Sequence, residues 1–198
     1  MQLISRVWFK MLKEWWQLTV PVRLRAQGVE LGKDVHFYGM PIVGMAKDSL
    51  IRIGDRVVLC SDSRFTALGV NHPVVLRTLR PGAEIVIGND CGISGGSICA
   101  AIRVELGNEC LLGANVTIAD TDFHSIKPAR RRLNNNPQEI GAAPVRIEDN
   151  VFIGTGALVL KGVRIGRNSV IGASSVVTKD VPPNSIAAEN PAKIIRDF

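Results

Sequence analysis

Aliphatic residues recur every six positions along the C-terminal half of the chain: Ile147, Ile153, Val159, Ile165, Ile171 and Val177. The same period runs through Leu106, Leu112 and Ile118, and through Ile87, Ile93 and Cys99, with weaker starts at Leu31, Phe37, Ile53 and Leu59. Four residues after most of these comes a small or modest side chain: Cys91, Ser97, Cys110, Val116, Val151, Ala157, Val163, Ser169, Ser175 and Val181. Each lies two positions before the next aliphatic residue, so both point to one side of a short strand. Between them fall Gly, Asn and Asp, as in "IGTG", "IGRN", "IGAS", "LGNE" and "IGND". These residues accept the backbone conformations of a tight corner. A period of six fits neither face of a 3.6-residue helix, and an ordinary β sandwich does not repeat so regularly. A chain that turns at this interval and always points one side inward closes into a triangular prism, with about 18 residues per coil and coils stacked at about 4.8 Å.

The 198 residues make one domain with a core of its own, with room for a small appendage. The reading divides them into residues 1–28, 29–182 and 183–198. In the first segment Leu3, Ile4, Val7, Trp8, Met11, Leu12, Trp15 and Leu18 form an apolar helical stripe, with Arg6, Lys10, Lys13 and Gln17 elsewhere and Pro21 at its boundary. Residues 1–18 are expected either to pack on the prism or on a neighbouring subunit, or to touch a membrane surface, which three Trp with basic residues suit. In the last segment "AENPAKIIRDF" reads as a closing turn and tail that covers open strand edges. Its Lys193 and Arg196 share a side if the tail is helical.

Twenty-four Lys and Arg against eighteen Asp and Glu leave a net charge of +6, which favours anionic partners and is too modest to argue for nucleic acid. Cys60, Cys91, Cys99 and Cys110 lack C-x-x-C spacing, and three fall on inward positions; reduced, buried thiols in a cytoplasmic protein are expected. No run of eighteen apolar residues and no signal-peptide core is present, so neither a membrane span nor secretion is expected.

The repeat fails between Ile118 and Ile147, an excursion at about 119–146. A long irregular insertion in a rigid stack is where binding residues gather. It opens with Asp120, Asp122 and His124 and continues through Arg130, Arg131 and Arg132 to "NNNPQ". Histidine is the side chain best suited to take a proton from a hydroxyl near neutral pH. Asp120 or Asp122 could hold its ring in the useful tautomer; a solvated loop histidine is the plain alternative. The Arg run suits an acidic acceptor as well as it suits solvent.

From about Ile87 to Ile195 the chain resembles the hexapeptide-repeat acyltransferases, and is similar to the maltose, galactoside and polysaccharide O-acetyltransferases. The resemblance lies in repeats, a histidine just before a loop, more repeats, and the ending "VTKDVPPNSIAAENPAKIIR". It implies a left-handed parallel β-helix, a homotrimer, and acetyl-CoA as acyl donor to a sugar or glycan hydroxyl, with no metal. His124 matches the general base. By position, Thr155, Gly156, Ala173, Thr178, Lys179, Lys193 and Arg196 would contact the donor. The many "IG" pairs are read as corners, and no Walker-type loop or Rossmann glycine fingerprint occurs. Relatives commonly present the histidine as Gly-His-Pro; "DTDFHS" departs from that, and their acceptor-contacting Asn has no clear counterpart around Ser94 and Ser97.

His72, in "NHP", is the rival histidine and a candidate acceptor contact from a neighbouring subunit, while His36 is read as structural. An N-acetyltransferase acting on an amino sugar is the nearest alternative. A zinc-dependent hydratase of the carbonic-anhydrase kind, drawing on His36, His72 and His124, is the next. A scaffold without activity remains the third, since a fold does not establish a reaction.

Overall fold

The computed structural model describes residues 2–128, 131–134 and 136–198, with side chains from Val7 onward; Arg130, Leu3, Ile4 and Arg6 as read above lie outside the described residues or side chains. An N-terminal helix, α1 (Gln2–Ala26), precedes a parallel β-helix of triangular section with sheets of six, eight and six strands. Face I stacks Glu30–Leu31, Leu50–Ile53, Glu84–Ile87, Arg103–Leu106, Val145–Ile147 and Arg164–Ile165. Face II stacks His36–Tyr38, Val58–Cys60, Gly92–Ser94, Leu111–Leu112, Phe152–Ile153, Val170–Ile171 and Ser185–Ala188, closed by the antiparallel strand Lys193–Asp197. Face III stacks Ile42–Gly44, Val75–Thr78, Ser97–Ala100, Thr117–Ala119, Leu158–Val159 and Val176–Val177.

The six-residue period is the mechanical cause of this shape. Ile53, Ile87, Leu106, Ile147 and Ile165 lie in register on face I, and Phe37, Leu59, Ile93, Leu112, Ile153 and Ile171 on face II, all buried in the core. Each such side chain stabilises the fold by about 1.5–3 kcal/mol. The corners between faces I and II hold Asp34, Arg56, Asp90, Glu109, Asn150, Asn168 and Asn184 at positive φ. The last three are tied into a ladder, Asn150 Nδ2 donating to Asn168 Oδ1 at 3.1 Å and Asn168 Nδ2 to Asn184 Oδ1 at 2.8 Å. The "IG" corners pass too close for a Cβ: one built on Gly154 would lie 2.5 Å from the Ala173 nitrogen in the next coil.

The register between Ile93 and the third face differs from the sequence reading. Ile98 and Ala100, not Ser97 and Cys99, point inward, because the "SGGS" corner is one residue shorter than the other corners: Ile93 and Ile98 pair with Leu112 and Ile118 of the next coil. Gly95, at φ +54, makes that tighter corner, and a Cβ there would lie 2.8 Å from the His72 carbonyl oxygen of the loop packed over it. Ser97 and Cys99 therefore face outward.

Two boundaries also move. Helix α1 runs through Pro21 to Ala26. A helix-interior proline costs about 3 kcal/mol, which is offset by Val20 and Leu24, both fully buried against the first coil, at about 1.5–3 kcal/mol each. Gln17 caps the open edge of face II: its Nε2 donates to the Phe37 carbonyl at 2.8 Å, and its Oε1 accepts from the Phe37 N–H at 3.3 Å. At the other end the stack continues past Pro182 and Pro183 to Ala188.

The outer surfaces differ in kind. Face I is charged, with Glu30–Arg52 at 2.6 Å, Arg103 between Glu84 and Glu105, and Arg164 on Glu148. Face II carries Val58, Gly92, Leu111, Phe152, Val170 and Ile186 in one outward column. Face III carries Ile42, Val75, Ser97, Thr117, Leu158 and Val176.

Candidate functional site

The 120–144 excursion leaves the prism at the corner between faces III and I, and its neck is sewn shut. Ala143 N–H donates to the Asp120 carbonyl and Asp122 N–H to the Gly141 carbonyl, both at 2.9 Å, and Thr121 bridges Ala142 in antiparallel register. Thr121 Oγ1 also donates to the Gly141 carbonyl at 3.2 Å. His124 stands two residues beyond this ladder. Its own N–H donates to the Asp122 carbonyl at 2.7 Å, closing a γ-turn about Phe123, whose φ is +61. That turn is rare and strained for a side-chain-bearing residue, and it is held by the neck on one side and buried Ser125 on the other.

The aspartates do other work than orienting the ring. Asp120 is fully buried, and its carboxylate accepts from three backbone N–H groups of the preceding coil: Ala101 at 2.6 Å, Ile102 at 2.7 Å and Arg103 at 2.8 Å. Its charge is satisfied there, so it fastens the neck to the prism. Asp122 receives the Lys161 ammonium at 2.5 Å. The His124 side chain is exposed and, among the described residues, its ring has no hydrogen-bond partner. In the isolated chain neither aspartate is hydrogen-bonded to the ring.

Lys161 was missed in the sequence, although a signal exists: it sits eighteen residues before Lys179, one coil below it on the same corner. Thr178 and Lys179 are exposed at that corner. A hollow of about 290 Å³ opens beside it, lined by Leu79, Arg80, Ala101, Thr121, Phe123 and Ile140. The Arg80 guanidinium donates to the Ile140 carbonyl at 3.0 Å across its rim. Within the loop Arg131 donates to the Ile126 carbonyl at 2.9 Å, so this member of the Arg run braces the excursion. A larger hollow of about 430 Å³, lined by Gly88, Glu105, Asn108, Arg146 and Glu148, lies on face I and its corner with face II, away from His124.

The other expected site residues lie elsewhere. Thr155, Gly156 and Ala173 share the corner between faces II and III, where Ser174 N–H donates to the Thr155 carbonyl at 2.8 Å. Ser94 leads into the same corner from face II, and Ser97 leaves it on face III. His72 sits above it in a second insertion, residues 61–74, with Nδ1 2.7 Å from the Pro73 carbonyl and the ring half-buried. His36 is exposed at the start of a face II strand. The three histidines thus occupy three different corners, and among the described residues no three His, Cys, Asp or Glu side chains gather as a metal site would require.

Lys193 and Arg196 lie on a strand, not a helix. Residues three apart on a regular strand face opposite ways, but a bulge intervenes: Lys193 pairs with Ala188 and Arg196 with Ile186. Both partners alternate with the buried Ala187, so the two cations are brought to one side after all. All four cysteines are free. Burial pushes the Cys60 and Cys99 thiols up, and Cys91 and Cys110 are stacked in the core, so none of the four thiols is presented at the excursion.

The model of the family described as bacterial transferase hexapeptide (six repeats) matches residues 144–179. Over 93 residues the chain is 46% identical to a galactoside O-acetyltransferase of Lactococcus lactis; the stretch is 47% of this chain and 42% of that protein, so less than half of the relative's length is matched. The solved polySia-specific acetyltransferase is 26% identical, with a TM-score of 0.59 over 85% of this chain and 75% of that one. A galactoside acetyltransferase solved in complex with coenzyme A is 24% identical, with a TM-score of 0.54 over 97% and 80% of the two chains, which is a likeness of fold. With its repeat, its stacked coils and these likenesses, the chain folds as a left-handed parallel β-helix, and its residues 144–179 carry the repeats of the bacterial hexapeptide transferases.

Proposed function

We propose that the protein is an acyltransferase that moves an acetyl group from acetyl-CoA to a hydroxyl of a sugar or surface-glycan precursor, with His124 as general base. The observation that carries this reading is the placement of His124: an exposed imidazole without a partner among the described residues, fixed two residues beyond a hydrogen-bonded neck, on the corner that also presents Lys161, Thr178 and Lys179. A neutral imidazole there accepts the acceptor's hydroxyl proton as the oxygen bonds to the thioester carbonyl carbon. The carbon–sulfur bond breaks, and the departing thiolate takes the proton back from the imidazolium. Lys179, Lys193 and Arg196 are exposed cations for the donor's phosphates, and Thr155, Gly156 and Ala173 leave room for its arm to lie against backbone. The matched galactoside O-acetyltransferase supports the acetyl and hydroxyl parts of this reading.

The donor residues are divided between two corners of one chain, separated by face III, whose strands of two to four residues span roughly 7–13 Å. A closed homotrimer, with one subunit's II–III corner set against the next subunit's III–I corner, would reunite them. The outward columns favour this arrangement: in the single chain Leu111 and Phe152 are 54% and 45% exposed, whereas face I is salted with ion pairs. His72, on the II–III corner, would then reach the neighbour's site.

Thermal melting with and without acetyl-CoA tests the donor directly. Saturating ligand at about a hundred times Kd is expected to raise the melting temperature of the wild type by roughly 5–10 °C, and Lys179→Ala by clearly less. Release of CoA on adding members of a sugar panel would then identify the acceptor. No shift in the wild type would contradict the reading.

A further inference from the structure

The apolar stripe of helix α1 does not face the prism. Val20 and Leu24 are fully buried against the first coil, and Trp16 packs beside them. On the opposite side of the helix Met11, Trp15, Leu18 and Val22 are 63%, 62%, 72% and 67% exposed, with Val7 continuing the row. Their spacing of four, three and four residues places them on one line, and from Val7 to Val22 it runs about 22 Å. A helix anchored by its other side has left its most apolar surface open.

The position of the stripe narrows what can cover it. The anchoring residues sit on the end of the β-helix, where Gln17 caps the first coil, so the row beyond them faces off that end. Subunits packed through faces II and III would lie against the sides of the prism and not against this end. Charge excludes a second helix of the same kind. Lys10, Arg23 and Arg25 are exposed around the stripe, and the helix's one carboxylate, Glu14, is already 4.0 Å from Lys10. Two such helices face to face would set cation against cation. A surface that is apolar within and anionic at its rim satisfies both features: Trp15 and Leu18 enter the boundary, and the long Lys and Arg side chains reach out to the headgroups.

We propose that the outer face of α1 docks on an anionic lipid bilayer, lying in the plane of its surface. The helix inserts no deeper than that: among the described residues no helix is long and apolar enough to cross a membrane. This docking does not depend on what His124 does, since helix and excursion sit on separate parts of the chain.

Co-sedimentation of the full chain with vesicles of phosphatidylcholine alone, and of phosphatidylcholine with phosphatidylglycerol, tests it. The wild type is expected to pellet with the anionic vesicles, more weakly with the neutral ones, and less as salt is raised. The double variant Trp15→Glu, Leu18→Glu, at exposed positions, should keep the wild-type melting temperature and lose at least about tenfold in vesicle affinity. Lys10→Gln with Arg25→Gln should weaken the salt-sensitive part alone. Three results would overturn the proposal: no pelleting with either vesicle, equal pelleting of the double variant, or a fall in that variant's lipid-free mass by analytical ultracentrifugation, which would make the stripe a subunit contact.

Discussion

Two insertions interrupt the same prism, each carries a histidine, and their surroundings make opposite uses of them. In residues 61–74 the side chains hold the loop down: Phe65 is ringed by Phe9, Trp16 and Tyr38 at centroid distances of 5.2–5.6 Å, and Ser63 Oγ donates to the Val70 carbonyl at 2.7 Å. His72 is drawn into that packing, with one ring nitrogen against the Pro73 carbonyl. In residues 120–144 the backbone does the holding, through the neck at Asp120–Asp122 and Gly141–Ala143, and among the described residues the ring of the histidine beyond it has no hydrogen-bond partner. An aromatic plug fixes a loop at the cost of its side chains; a hydrogen-bonded neck fixes it and leaves the side chains for chemistry.

The comparison can be broken first at the neck. Asp120→Ala strands three backbone donors, and is expected to cost about 3 kcal/mol, a fall of roughly 6–12 °C in melting temperature, with turnover lost alongside it. Asp120→Asn keeps one good acceptor and should fall between. A variant that melts like the wild type would show that the neck is held by something other than this carboxylate. A smaller effect is expected at the ion pair that steadies Asp122. Lys161→Met removes a partner at 2.5 Å on a half-exposed pair, worth at most about 1 kcal/mol, so turnover should drop up to about fivefold with little change in melting. A hundredfold loss would instead place Lys161 at the substrate.

Much of this architecture was legible in the sequence because it is periodic. Ile147, Ile153, Ile165 and Ile171 announce their inward positions by spacing alone, and the excursion shows as the place where spacing fails. What stayed hidden is what depends on partners distant in the chain. The residue missing at "SGGS" goes with a glycine corner over which the 61–74 loop packs. Helix α1 outlasts Pro21 because of what Val20 and Leu24 bury, and its stripe read equally as a packing face or a membrane face because periodicity gives a face but not what it faces. Asp120 and Asp122 read as ring-orienting groups by proximity, yet their bonds go to Ala101, Ile102, Arg103 and Lys161, the first three in the coil before and the last in the coil after. Lys193 and Arg196 come to one side through a bulge that no spacing rule foretells.

The contrast between the insertions is tested most directly by turnover of His124→Ala and His72→Ala, measured in parallel with acetyl-CoA and an acceptor found by the sugar screen, with thermal stabilisation by acetyl-CoA as the binding control. The structure predicts a loss of roughly 10²–10⁴-fold for His124→Ala with donor stabilisation retained, and a change of no more than about threefold, under 1 kcal/mol, for His72→Ala. An unchanged rate in His124→Ala, or the larger loss in His72→Ala, would contradict it and move the chemistry to the other insertion.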